Sequence, residues 1–124
     1  MLYIINCAQC KVIILETVKN MDDIIERGRL YDFYGAMLTE HQRQIYEALV
    51  YNDMSLSEIA GEYDISRQGV HDLILRCDRQ LKRFEERLRL IERDRAISAK
   101  LDEIDSMTKD DEVAKLLDEI RDLL

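Results

Sequence analysis

The side chains that could carry out covalent or metal chemistry are few and widely spaced. The chain has three cysteines and two histidines. Cys7 and Cys10 form a CxxC pair, which alone is a weak signal for zinc or redox chemistry, because a structural zinc site needs four ligands. Cys77, His41 and His71 stand at spacings that do not complete such a site. We therefore predict no metal, no cofactor and reduced thiols, as expected in a cytoplasmic protein.

The sequence also lacks the common motifs that indicate an enzyme. The sequence has no Gly-rich phosphate loop and no Ser, His and Asp set in a suitable context. Its 26 Asp and Glu residues are spread along the chain in the manner of solvated helix surface. The interpretation that follows is a binding protein rather than an enzyme.

A polar and basic segment in the middle of the chain is the best candidate for a binding site. Its members are Ser66, Arg67, Gln68, His71 and Arg76. In a major groove, arginine suits guanine and glutamine suits adenine. The whole chain carries a net charge of −8, yet residues 67–83 hold five basic and two acidic residues. Because phosphate contacts supply most nonspecific affinity, a nucleic-acid site in this acidic chain has to be local and basic.

A helical domain with no nucleic-acid role would show much the same pattern. Helix caps and apolar spacing report geometry and not function. Asp72 opposes contacts with phosphate, and Gly69 weakens the helix that would carry them. Two interpretations stay open at this point, a DNA-reading helix and a retained scaffold.

Two capped helices are predicted to position this segment. Ser55 and Glu58 form a capping box that starts a helix running to about Tyr63, and Ser66 caps the next helix. Two helix starts separated by a short turn predict a helix-turn-helix. Asp64 is expected to adopt the left-handed conformation that the turn needs, since it tolerates that region better than most residues.

The rest of the chain also predicts helices, because it has no proline and only four glycines. Apolar spacing predicts one helix over residues 22–38, and a capping box of Thr39 and Gln42 starts the next, which ends near residues 52–53. Thr108 is expected to cap the last helix. A seam of apolar residues spaced by four and three follows the turn: Val70, Ile74, Cys77, Leu81, Phe84, Leu88 and Ile91. Such a seam packs on another helix, either the N-terminal helix or a second copy, and we predict a homodimer.

Three segments are expected along the chain. Residues 1–20 hold two short apolar runs of β-prone sequence and are interpreted as an upstream extension from a wrongly chosen start codon. Residues 21–95 form the helix-turn-helix domain. Residues 96–124 form an acidic helical tail, with four basic and nine acidic residues. No stretch reaches the roughly 18 apolar residues of a membrane span, so membrane insertion is not expected.

The central sequence resembles the YlxM-like family of small bacterial proteins. The matching segments are LYDFYGAMLTE (30–40), QR (42–43), SL (55–56), EIA (58–60), ISRQ (65–68) and Val70. The resemblance covers about residues 29–92 and not residues 1–20, and the helix-turn-helix is also similar to the C-terminal domain of bacterial sigma factors. The family pattern often has an aromatic residue in place of His71 and alanine in place of Gly69, and both departures fall on the reading helix.

The resemblance implies an all-α fold with a nucleic-acid-binding motif, to which the apolar spacing adds a long C-terminal helical extension. It also implies a regulatory role in the signal recognition particle pathway. Two functions are therefore consistent with the sequence. One is a regulator that binds DNA or the particle's RNA. The alternative is a protein-interaction module that binds the particle's GTPase, or its RNA complex, without reading DNA.

Overall fold

The computed structural model describes residues 21–124, and the predictions made for residues 1–20 lie outside this range. The described part is all-α, as predicted. Its elements are α1 (Met21–Tyr34), a 3₁₀ turn (Gly35–Met37), α2 (Glu40–Val50), α3 (Leu56–Glu62), α4 (Arg67–Leu88), α5 (Leu90–Met107) and α6 (Asp111–Asp122). None of these helices is long and apolar enough to span a bilayer.

Reciprocal caps start α2 and α3, as the sequence predicts. The Thr39 hydroxyl accepts from the Gln42 amide at 3.3 Å, and the Gln42 side chain accepts from the Thr39 amide at 3.0 Å. Ser55 and Glu58 make the same exchange at 3.1 and 2.7 Å. Each box satisfies two amide groups that the first helical turn leaves without partners, so these local residues fix where the helices begin.

The chain divides into two compact units, one ending at Glu86 and the other covering Arg87–Leu124. The domain prediction draws its boundary later, after residue 95. In the first unit the fully buried side chains come from all four helices: Tyr34, Ile45, Tyr46, Leu49, Ile59, Val70, Ile74, Cys77 and Leu81. Ile25 is one of the apolar residues whose spacing predicts α1, but it is 57% exposed.

A charged group also lies in this core. Arg27 of α1 donates to both carboxylate oxygens of Asp78 in α4, with Nε at 3.0 and 3.1 Å from Oδ1 and Oδ2. The Tyr46 hydroxyl of α2 donates to the same carboxylate at 2.6 Å. Arg27 is 8% exposed and Asp78 9%. Three helices are therefore joined through one buried carboxylate.

The apolar seam of α4 packs on the chain's own N-terminal helix, one of the two partners predicted for it. The Tyr34 and Phe84 rings lie 6.0 Å apart, and the Tyr34 hydroxyl donates to Glu85. The seam does not continue as one helix, because Arg89 adopts a left-handed conformation with φ 53° and separates α4 from α5. Leu88, expected in the seam, is 44% exposed.

The second unit is a helical hairpin of α5 and α6. Leu101 and Leu117 are its buried residues on these two helices, together with Ile91 at the start of α5. Arg121 of α6 pairs with Asp102 of α5 at 3.0 Å. Thr108 does not cap α6. It has extended backbone after α5, and Asp110 is the N-cap, accepting from the Glu112 amide at 2.9 Å.

Candidate nucleic-acid interface

The turn between α3 and α4 has the geometry that the sequence predicts. Asp64 has φ 53°, in the left-handed region. The Ile65 amide donates to the Ala60 carbonyl at 3.1 Å, which closes the end of α3 in the manner of a Schellman motif. Ile59 of α3 and Val70 of α4 are both fully buried. The turn thus holds α4 against α3 with its first residues at the surface.

The Ser66 hydroxyl is occupied by capping. It accepts from the Gly69 amide at 2.9 Å, and this bond confirms Ser66 as the cap of α4. A Cβ at position 69 would meet the Ser66 hydroxyl oxygen at 3.0 Å, so glycine leaves room for the cap that holds this end of the helix. Ser66 remains exposed, as does its neighbour Arg67.

His71 does not project from the helix as the sequence interpretation expects. It is 7% exposed, and neither ring nitrogen has a hydrogen-bond partner. Its Nδ1 lies 3.6 Å from an Asp72 carboxylate oxygen, which is beyond hydrogen-bond distance. The reason is the helical phase: His71 lies one turn from Ile74 and two turns from Asp78, both buried in the core. The imidazole is therefore not placed to contact a ligand.

Gln68 and Asp72 are exposed and bound to each other. The Gln68 side-chain amide donates to Asp72 at 2.9 Å across one helical turn. This contact orients the Gln68 amide group and satisfies part of the Asp72 carboxylate. Reading of adenine by Gln68 requires this bond to be given up or shared, because adenine readout uses both its donor and its acceptor.

Arg67 and Arg76 do not form one cluster. Both are exposed. Because successive residues turn by about 100° in an α-helix, residues nine apart lie on opposite sides of its axis. Arg76 instead shares a face with Gln68 and Asp72, and Arg67 extends from the first residue of the helix. The predicted site residues thus divide between the helix end and its exposed face.

Further along α4, three arginines continue the exposed face. Arg76, Arg79 and Arg83 follow one another at steps of three and four residues, and all are exposed. We call these three residues the basic stripe. The sequence interpretation noted these residues among the charges of the segment but did not separate them by face. Their i, i+3, i+7 spacing was the signal that would have found them.

The burial of Asp78 changes the charge of this surface. Residues 67–83 hold two acidic residues, but Asp78 lies in the core bound to Arg27. The exposed charges of the segment are therefore five basic residues against Asp72 alone. The net positive charge of the exposed surface is therefore higher than the residue count of the segment indicates.

Comparison of the sequence with known protein families gives a match over most of the chain. A family model described as UPF0122, "Putative helix-turn-helix protein, YlxM / p13 like", matches residues 21–120. The chain belongs to the UPF0122 family. This confirms the resemblance drawn from the central sequence.

Relatives of the UPF0122 chain come from several bacteria. It is 44% identical over 106 residues to a UPF0122 protein of Thermoanaerobacter sp. (strain X514), covering 80% of this chain and 91% of that one. It is 45% identical over 83 residues to one from Caldanaerobacter subterraneus subsp. tengcongensis, covering 67% and 71%. It is 37% identical over 108 residues to one from Clostridium kluyveri, covering 84% and 96%.

The described part of the UPF0122 chain contains one cysteine. Cys77 is a free, buried thiol in α4, and burial together with Asp78 raises its pKa to about 11. Such a thiol is unreactive near neutral pH. Within residues 21–124 no three His, Cys, Asp or Glu side chains come together as metal ligands. The CxxC pair lies outside the described range.

Proposed function

We propose that this UPF0122 protein is a regulator that binds nucleic acid through its helix-turn-helix, α3 and α4. The observation that carries the proposal is the excess of exposed basic residues on α4 between positions 67 and 83, where five are basic, Asp72 alone is acidic, and three of the basic residues share one face. Phosphate is the ligand that such a surface attracts, and a helix held by this turn is the element that enters a groove.

Arg67 and Gln68 are assigned to the groove because they lie exposed at the start of α4. Side chains at this position of a second helix reach base edges. Ser66 supplies the cap and an exposed position next to the backbone of the ligand, and Arg76 supplies a phosphate contact. His71 keeps only a packing role, because it is buried.

The experiment is a titration of labelled duplex DNA and of signal recognition particle RNA at two salt concentrations. The proposal expects tighter binding at low salt and a weaker complex for Arg67→Ala. Lys100→Ala, a change at an exposed cation of the second unit, is the matched control. Absence of binding to both nucleic acids at low salt would reject the proposal.

A protein-interaction function is the second candidate, and the α5–α6 hairpin favours it. Several of its apolar side chains are exposed, among them Met107 at 81%, Leu116 at 57% and Leu123 at 86%. Exposed apolar groups of this kind suit a protein partner. The family resemblance suggests the signal recognition particle GTPase or its RNA complex, and a second copy of the chain is the other partner that we expect.

Two measurements separate these outcomes. Light scattering at micromolar concentration gives the mass, and a homodimer is expected. Titration with the purified GTPase then tests the pathway assignment. Binding to the GTPase without any binding to nucleic acid would favour the second candidate over the first. The proposed place of action is the cytoplasm, where both nucleic acid and the GTPase occur.

A further inference from the structure

The exposed face of α4 separates into two parts with different chemistry. Its first turn carries the groups that could read bases, and its later turns carry the basic stripe of Arg76, Arg79 and Arg83. The first turn has few groups that are available for contacts with bases. Ser66 is used as a cap, Gln68 is bound to Asp72, and Arg67 is the remaining exposed donor.

The basic stripe is well suited to phosphate. Its three residues lie within roughly 60° of one another around the helix axis, and Arg76 and Arg83 are about 10 Å apart along it. Among the residues that the structure describes, none of the three pairs with a carboxylate. A duplex carries one negative charge per about 1.7 Å of its axis, so this length faces on the order of six charges.

Two other cations of residues 67–83, Lys82 and Arg67, do not lie on the face of the basic stripe. Lys82 lines a small cleft with Asp23 and Glu26 of α1, beside the buried Arg27 and Asp78 pair. Lys82 therefore lies on the side of α4 that faces α1 and not with the three arginines. Arg67 lies on the opposite side of the axis from Arg76, at the end of the helix.

From this arrangement we propose that the basic stripe binds the sugar–phosphate backbone of double-helical nucleic acid without regard to base sequence. The inference rests on the proposed function and narrows it. Affinity comes from the stripe, and the first turn of α4 adds little selectivity. A regulator of this kind recognises a duplex by its charge and shape. The stripe itself does not discriminate between target sequences.

The experiment measures fluorescence anisotropy of the full chain with 24-base-pair duplexes. Three unrelated sequences are each prepared as DNA and as RNA and titrated between 50 and 200 mM salt. The variant is the triple Arg76→Gln, Arg79→Gln, Arg83→Gln. The control neutralises three exposed cations of the second unit: Arg93→Gln, Lys109→Gln, Lys115→Gln. Thermal unfolding verifies that both variants remain folded.

The inference expects the three sequences of one nucleic acid to bind within about threefold of each other. For the triple stripe variant, the plot of log K against log salt should be less steep by about 2.7 on DNA. Each phosphate that is no longer neutralised reduces the steepness by about 0.9. The control variant leaves the slope unchanged. Asp72→Asn removes the exposed carboxylate that lies one helical turn before Arg76 and tightens binding to every duplex. Preference for DNA or for RNA identifies the duplex and supports the inference either way.

Three results would overturn it. A hundredfold preference for one sequence shows that bases are read, which sinks the inference but leaves the proposed function standing. A stripe variant that keeps the slope of the unchanged protein shows that the phosphate-binding residues lie elsewhere. Absence of binding to any duplex at 50 mM salt removes both the inference and the proposed function.

Discussion

The Arg27 guanidinium and the Asp78 carboxylate form a buried ion pair in which both Nε and Nη2 of Arg27 donate to the carboxylate, with Nη2 2.7 Å from Oδ2. The pair joins α1 to α4 across 51 residues of sequence. Burial alone would lower the pKa of Arg27, but the hydrogen bond and charge of Asp78 outweigh it and raise the pKa. The guanidinium is thus held charged at its buried position.

Breaking this pair from one side is expected to destabilise the first unit strongly. Asp78→Asn leaves the Arg27 charge buried without its counter-charge, and such changes typically cost about 3–5 kcal/mol in the free energy of unfolding. Urea unfolding followed by circular dichroism measures it. Glu103→Gln, which breaks the exposed pair with Lys100, is the control and should leave the midpoint nearly unchanged. A loss below about 1 kcal/mol for Asp78→Asn would contradict the role assigned to the pair.

Tyr46, whose hydroxyl donates to the Asp78 carboxylate, is expected to contribute to the pH dependence of stability. Burial, and then the charge and hydrogen bond of Asp78, raise the pKa of Tyr46 above its ordinary value of 10.0. The folded protein therefore keeps the phenol proton that the unfolded chain loses above about pH 10. Stability is fully present below that pH and falls as pH rises, by up to about 1.4 kcal/mol per pH unit for one proton.

The check is urea unfolding between pH 8 and 11 for the unchanged protein and for Tyr46→Phe. The variant should be less stable near pH 8 by about 1–3 kcal/mol, because Asp78 loses a donor. Its stability should then fall less steeply above pH 9. Tyr31 and Cys77 also have raised pKa values, about 12 and about 11, so part of the slope remains in the variant. Parallel curves would show that Tyr46 is not the group responsible.

Much of the helical framework was predictable because it is set by local contacts. The caps at Thr39, Ser55 and Ser66, and the left-handed Asp64, depend on groups within a few residues of each other. The break at Arg89 was missed, since an arginine with positive φ has no local signal of the kind that Asp or Gly gives.

Side-chain roles on α4 were harder to predict than the helix itself. Asp78 was counted in the net charge of residues 67–83, and its burial was not predicted because its partner, Arg27, comes from a distant part of the sequence. His71 was assigned to the binding face because it is a polar residue near the start of α4, where side chains of a reading helix reach base edges. Its place in the helical period, one turn before the buried Ile74, predicts the core instead. Residue type alone misleads where phase and long-range pairing decide burial.

The capping box of α3 is expected to stabilise the helix-turn-helix directly. Ser55→Ala removes the oxygen that accepts from the Glu58 amide at 3.1 Å and should lower the free energy of unfolding by about 1 kcal/mol. Ser57→Ala, two residues later and exposed within the same helix, is the matched control and should be neutral or slightly stabilising. Equal effects of the two substitutions would count against the cap.

His71 is expected to be replaceable by an apolar aromatic residue. Its buried ring nitrogens lack partners, so His71→Phe removes an unfavourable burial and should raise the free energy of unfolding by about 1 kcal/mol. His71→Gln keeps an unpaired polar group and should lower it. Since the side chain does not reach the surface, His71→Phe should leave affinity for duplex DNA unchanged. A large loss of affinity with intact folding would return His71 to the binding site.

The acidic end of the chain is expected to weaken nucleic-acid binding by charge repulsion. Residues 96–124 hold nine acidic and four basic residues, and two exposed carboxylates of α6, Glu119 and Asp122, can be neutralised without touching the Arg121 pairs. Glu119→Gln with Asp122→Asn should tighten binding at 50 mM salt. The gain should vanish at 0.5 M salt, where the screening length falls to a few ångströms, roughly 4 Å. Anisotropy titrations at both concentrations measure this difference. An unchanged affinity at 50 mM salt would mean that these charges lie too far from the bound duplex to act on it.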